Sequence, residues 1–91
     1  DTHTGKLYVG SATSKNEMLL ARWRGYIDTF HNGNDGLKEL FEQEGAGYFE
    51  KYFQYSILEN FNAKVNPDFI KGRETYWKKV LSTKKHGYNK N

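Results

Sequence analysis

Arg22 and Tyr26 stand four residues apart, a spacing that sets a guanidinium and a phenol side by side on one helix face. Such a pair can grip a phosphate and orient one of its oxygens, or it can form an ordinary surface cation–π contact. Arg24 has Asp28 four residues on as an ion-pair partner, so Arg22 is the better candidate for chemistry. Glu74 falls at the edge of an apolar helical arc, where a carboxylate needs water, a cation or a hydrogen-bond donor. It either pairs with a neighbour such as Arg73 or Lys78 or holds a divalent ion. A single carboxylate suits Mg²⁺, which keeps most of its waters and takes few protein ligands. His31, in the polar run His31-Asn32-Gly33-Asn34, reads as a solvated loop histidine or as a proton shuttle and phosphate donor at a site mouth. The run Gly10-Ser11-Ala12-Thr13 could offer backbone amides to a phosphate, although one glycine without a phosphate-loop pattern is a weak signal.

These groups need elements to hold them. Leu19, Trp23, Ile27 and Phe30 recur at helical spacing and predict a helix over 17–30. Asn34 can cap a second helix with Leu37, Leu40 and Phe41 on its apolar side, ended by Gly45-Ala46-Gly47. Behind the turn-like residues 1–6, Leu7-Tyr8-Val9-Gly10 reads as a short strand, one arm of a hairpin whose partner would precede Asp1. Residues 48–60 are rich in aromatic and β-branched types and predict a central strand over 53–58. Asn66-Pro67 starts a third helix running to about Leu81, because Asn accepts from free amides and Pro has no amide hydrogen to leave unpaired. Its apolar residues Phe69, Ile70, Tyr76, Trp77, Val80 and Leu81 fall in an arc of roughly 140°. The basic tail 82–91 shows no periodicity and reads as a loop.

Ninety-one residues make one domain, and two-domain enzymes are excluded. The hydrophobic fraction is 36%, so the 16% of aromatic residues must supply the core's bulk. No apolar run approaches a membrane span and the opening residues carry no leader-like apolar segment, which leads to the expectation of a cytoplasmic chain without membrane contact. With no cysteine, any metal must sit on oxygen or imidazole. The net charge of +3 is unevenly spread. Residues 1–63 carry six Lys/Arg against nine Asp/Glu, while 64–91 carry eight against two. Segregated positive charge is the footprint of a polyanion contact, or else a solvated lysine face.

Lys6-Leu7-Tyr8-Val9-Gly10-Ser11-Ala12 resembles the second half of the GIY-YIG motif, here in the form YVG. It is followed in order by Leu20-Ala21-Arg22-Trp23, Tyr26, His31-Asn32-Gly33-Asn34, Glu74-Thr75-Tyr76-Trp77-Lys78 and Gly87-Tyr88-Asn89. The ordered set spans nearly the whole chain and resembles the GIY-YIG nuclease domain. The resemblance implies an α/β domain of α+β type over 1–91, with a small antiparallel three-stranded sheet flanked by helices. It implies a DNA endonuclease that hydrolyses phosphodiesters with one Mg²⁺ or Mn²⁺. Tyr8 would hold the attacking water, Arg22 would offset charge on the scissile phosphate, and Tyr26 would sit one turn further on. His31 joins the catalytic set, Glu74 would bind the metal, and Asn89 would support the site from the C-terminal loop. Nucleic-acid contacts are expected at Lys15, Lys78, Lys79, Lys84 and Lys85. The motif's first half lies further upstream than the seven residues ahead of Tyr8 allow. The chain is therefore expected to be N-terminally truncated, to lack the first strand, to cleave poorly, and to self-associate through an exposed strand edge. The alternative is a catalytically inactive DNA-binding module of the same fold.

Overall fold

The computed structural model describes residues 1–12, 28–29, 33–61 and 64–90. Asn34 opens the first complete helix, α1 (Asp35–Glu44), as its side chain suggests: Oδ1 accepts from the Leu37 amide at 3.2 Å. Gly45 ends it with φ 79°, a left-handed value that costs glycine nothing, and returns its N–H to the Phe41 carbonyl at 2.9 Å. A second helix, α2 (Ala46–Tyr52), follows at once. Leu37 of α1 and Phe49 of α2 form the buried centre, with Tyr8, Leu40, Phe41, Tyr48, Phe53 and Tyr88 packed around them. Burying either side chain stabilises the fold by about 1.5–3 kcal/mol.

Asn66 and Pro67 start α3 (Pro67–Val80) as expected, with Asn66 Oδ1 accepting from the Asp68 amide at 2.8 Å. Ser82 then adopts a left-handed conformation, φ 53°, and turns the chain into a single further turn, α4 (Thr83–His86). The expected loop over 82–91 is thus part helix.

The expected three-stranded sheet is not found: the described residues contain four complete helices and no strand. Two causes are visible. Residues 46–52 are helical because Tyr48, Phe49, Tyr52 and Phe53 repeat at i, i+1, i+4, i+5, which gathers their rings on one side; Phe49 and Phe53 stand 4.3 Å apart between ring centroids. Tertiary packing here overrides the β preference of aromatic residues, and 53–57 continue without a strand partner. The expected strand at 7–10 has its hydrogen-bonding groups taken by the tail instead. The Tyr88 amide donates to the Leu7 carbonyl at 2.9 Å, and the Asn89 side chain occupies Val9. The edge expected to be open for self-association is closed on that side. The 17–30 helix lies outside the described residues except at 28–29, which are helical. Among the described residues no helix is long and apolar enough to cross a membrane.

Candidate functional site

Asn89 is 4% exposed, and its amide makes both hydrogen bonds that the Val9 backbone needs. The Val9 N–H donates to Asn89 Oδ1 at 2.8 Å, and Asn89 Nδ2 donates to the Val9 carbonyl at 2.9 Å. An asparagine suits this position because it pairs one acceptor with one donor, as a neighbouring strand would. The tail is held in place by the Asn89 amide on the Thr83 carbonyl and by the approach of Tyr88 to Gly36. A Cβ at Gly36 would lie 1.8 Å from the Tyr88 carbonyl oxygen, so only glycine lets the tail lie on α1. Tyr8, next to the clamped Val9, is half-buried against the Leu37–Phe49 core. Two hydroxyls near this junction, Ser11 Oγ and Thr83 Oγ1, are buried without a hydrogen-bond partner.

Glu74 occupies a different setting from the expected edge of an apolar arc. Ile70, Glu74, Trp77 and Leu81 lie within about 60° of one another around the axis of α3, and all are buried or half-buried. Glu74 therefore sits within the inward stripe. Phe69, Arg73, Tyr76 and Val80 form a parallel stripe about 100° away, whose apolar members are roughly half exposed. The carboxylate is compensated one turn on, where Lys78 Nζ stands 3.2 Å from Glu74 Oε2; both side chains are 13% exposed. Among the described residues no group of three or more His, Asp or Glu side chains converges to hold a metal. A site built on Glu74 would rest on this one carboxylate, already compensated by Lys78, and could suit only an ion that keeps most of its water.

Arg73, set among apolar neighbours, has a partner that the sequence did not suggest. Glu59 accepts from Arg73 Nε at 2.7 Å and from Trp77 Nε1 at 2.6 Å, and the guanidinium lies 4.3 Å from the Tyr76 ring centroid. The indole N–H first and the guanidinium second hold the Glu59 carboxyl below the usual carboxylate range.

The expected site residues divide accordingly. Tyr8 and Asn89 are brought to one junction, and Glu74 is joined to Lys78. Lys78, expected on phosphate, is engaged by Glu74. Lys79, Lys84 and Lys85 are exposed and make no ion pair with a described residue. Lys15, Arg22, Tyr26 and His31 lie outside the described residues.

One group of residues escaped sequence reasoning. A trough of about 460 Å³ runs along α1 between residues 3–6 and the tail, with His3, Lys6, Glu44, Tyr48, Tyr88 and Lys90 among its walls. Beside it, the Tyr48 and Tyr88 hydroxyls both donate to Asp1 Oδ2, at 2.6 and 2.5 Å. Burial, the nearby Tyr88 and the charge of Glu44 push the Tyr48 phenol up. No spacing rule joins residues 1, 48 and 88, so only the tertiary fold could reveal it. Neither Glu74 nor Tyr8 lines this trough. Comparison of the chain with protein-family models, with curated proteins and with solved structures returns no match.

Proposed function

We propose that the chain is a phosphodiesterase domain that cleaves DNA with the help of one divalent cation, in the manner of the GIY-YIG nucleases that its sequence resembles. The observation that carries the reading is the Asn89–Val9 clamp: it joins, through a buried side chain, the two ends of the chain from which the resemblance draws Tyr8 and Asn89. The inward position of Glu74 adds to it, since it sets the one carboxylate that the resemblance assigns to the cation on the inward stripe of α3.

In this reading Tyr8 orients the attacking water, while Arg22 offsets the charge that grows on the scissile phosphate. Tyr26 serves one turn after Arg22, and His31 as proton shuttle or phosphate donor, as the resemblance and the residue types suggest, and Glu74 holds the cation. Mg²⁺ or Mn²⁺, when bound, supplies Lewis-acid polarisation of the phosphate. Lys79, Lys84 and Lys85 hold flanking phosphates, while Lys15 adds a contact from the N-terminal half. Glu74→Gln and Arg22→Ala should each slow nicking of supercoiled plasmid by this protein by about a hundredfold or more. Cleavage by both variants at the unmodified rate would overturn the reading.

A DNA-binding module without catalysis is the second reading, and the Glu74–Lys78 pair is the observation that favours it. Under it, exchanging Lys79, Lys84 and Lys85 for Gln lowers the salt slope of DNA affinity by about 2–3 while no cleavage accompanies binding.

A further inference from the structure

Resting on the reading of Tyr8 and Asn89 as site residues, we infer that Tyr48 on α2 is a positioning residue for the proposed cleavage, acting through Asp1 and Tyr88 on the Asn89–Val9 clamp and thereby on Tyr8. The Asp1 carboxylate is the hub. Oδ1 accepts from the His3 and Thr4 amides at 2.9 and 3.3 Å, and Oδ2 accepts from the Tyr48 and Tyr88 hydroxyls at 2.6 and 2.5 Å. Two donors on each oxygen use the four acceptor positions of a carboxylate, so one side chain ties the opening turn, α2 and the tail to a common point. Bonds from phenols to a carboxylate are short and charge-assisted, which fixes where both rings stand.

Tyr88 carries that position to the clamp. Its amide donates to the Leu7 carbonyl at 2.9 Å, its ring stacks on Phe53 with centroids 6.0 Å apart, and Asn89 follows it directly. The Asn89 side chain must meet the N–H and the carbonyl of Val9 at once, and bonds of 2.8 and 2.9 Å tolerate little movement of the backbone that bears it. Tyr8 lies between the Leu7 and Val9 bonds, so the tail holds it from both sides. Tyr48 packs its ring with Tyr8 and Tyr88 against the Leu37–Phe49 centre, and removing its hydroxyl alone leaves that packing in place while loosening the alignment. A small displacement of a group that orients the attacking water costs turnover rather than substrate affinity.

Tyr52 supplies the control: it lies one turn further along α2, its ring stands 4.9 Å from that of Tyr48, and its hydroxyl does not donate to Asp1. Plasmid nicking in Mg²⁺ and backbone amide exchange are measured for the unmodified chain, for Tyr48→Phe, Asp1→Ala, Asp1→Asn and Tyr52→Phe, and for the double variant Tyr48→Phe with Asp1→Ala. Tyr48→Phe should lower kcat about tenfold with KM within about twofold, and should speed exchange at the Val9 amide relative to the amides of α3. Asp1→Asn, which keeps an oxygen for the phenols, should recover most of the rate lost in Asp1→Ala, and the double variant should be no slower than Asp1→Ala alone. Unchanged kcat in Tyr48→Phe, an equal loss in Tyr52→Phe, or single effects that multiply in the double variant each overturn the positioning role. Exchange that quickens throughout the chain in Tyr48→Phe also overturns it, because that reports general destabilisation rather than a loosened clamp. Absence of Mg²⁺-dependent nicking by the unmodified protein overturns the proposed cleavage and this inference with it.

Discussion

Thr83 and Asn89 in the basic tail are 0% and 4% exposed, whereas Phe69, Tyr76 and Val80 on the apolar-looking helix α3 are 54%, 46% and 52% exposed. By composition the order should be reversed. The difference lies in what each region offers its neighbours. The tail carries a donor–acceptor amide and passes a glycine where backbone can approach backbone, so it is drawn into the fold by hydrogen bonds that the Leu7–Val9 segment needs. The outer stripe of α3 offers apolar area apart from Arg73, which lies over the Tyr76 ring and pairs with Glu59. Burial in so small a chain follows unmet backbone hydrogen bonds as much as hydrophobicity.

Breaking the tail's contacts should therefore cost far more than altering the helix's outer face. The largest effect is expected at Gly36→Ala, which drives a Cβ into the Tyr88 carbonyl and should lower stability by about 3 kcal/mol in urea unfolding, despite the better helix propensity of alanine. Gly47→Ala in α2, with nothing within 4 Å of the added carbon, should instead be stabilising. If both variants lose stability equally, close approach of the tail is not the cause. Asn89→Ala comes next: it strands the amide and carbonyl of Val9, for an expected loss of about 2 kcal/mol and faster amide exchange at Val9. Unchanged exchange would show that the clamp is dispensable.

The inward side of α3 should reveal itself through pH. A carboxyl whose folded pKa is depressed contributes stability that is full above its ordinary unfolded value and is lost as pH falls through the folded one. Glu59→Gln should thus flatten the acid side of the stability profile, below about pH 4.3, while leaving the alkaline side as it was. Parallel acid limbs in the two proteins would contradict the role given to Trp77 and Arg73. The smallest effect is expected at Val80→Ser, within about 0.5 kcal/mol of the unmodified chain, because this side chain is already half in water. A loss approaching that of Asn89→Ala would mean that the outer stripe is covered in solution.

Legibility from sequence varied by element. The starts of α1 and α3 could be read because Asn34 and Asn66-Pro67 act through bonds to residues two or three places away. Helix α2 could not, since its aromatic residues favour strands in isolation and are turned helical by packing around Leu37. Glu74 lies further inward than the edge of the apolar arc predicts, because only the Ile70–Trp77–Leu81 side of that arc is withdrawn from solvent. Spacing offers Arg73 only to Glu74, whereas its partner Glu59 lies fourteen residues away across a turn.

Local chemistry in the sequence determined the helix caps, the concentration of positive charge in the last third, and the lysine placed one turn beyond Glu74. Such features depend on a few consecutive residues or a single helical turn, and so survive any arrangement of the whole. Tertiary structure alone decided that residue 89 completes the backbone of residue 9, that one aspartate joins tyrosines 48 and 88, and which side of α3 is hidden. Those outcomes depend on segments far apart in the chain meeting with their donors and acceptors matched, and no local pattern encodes that.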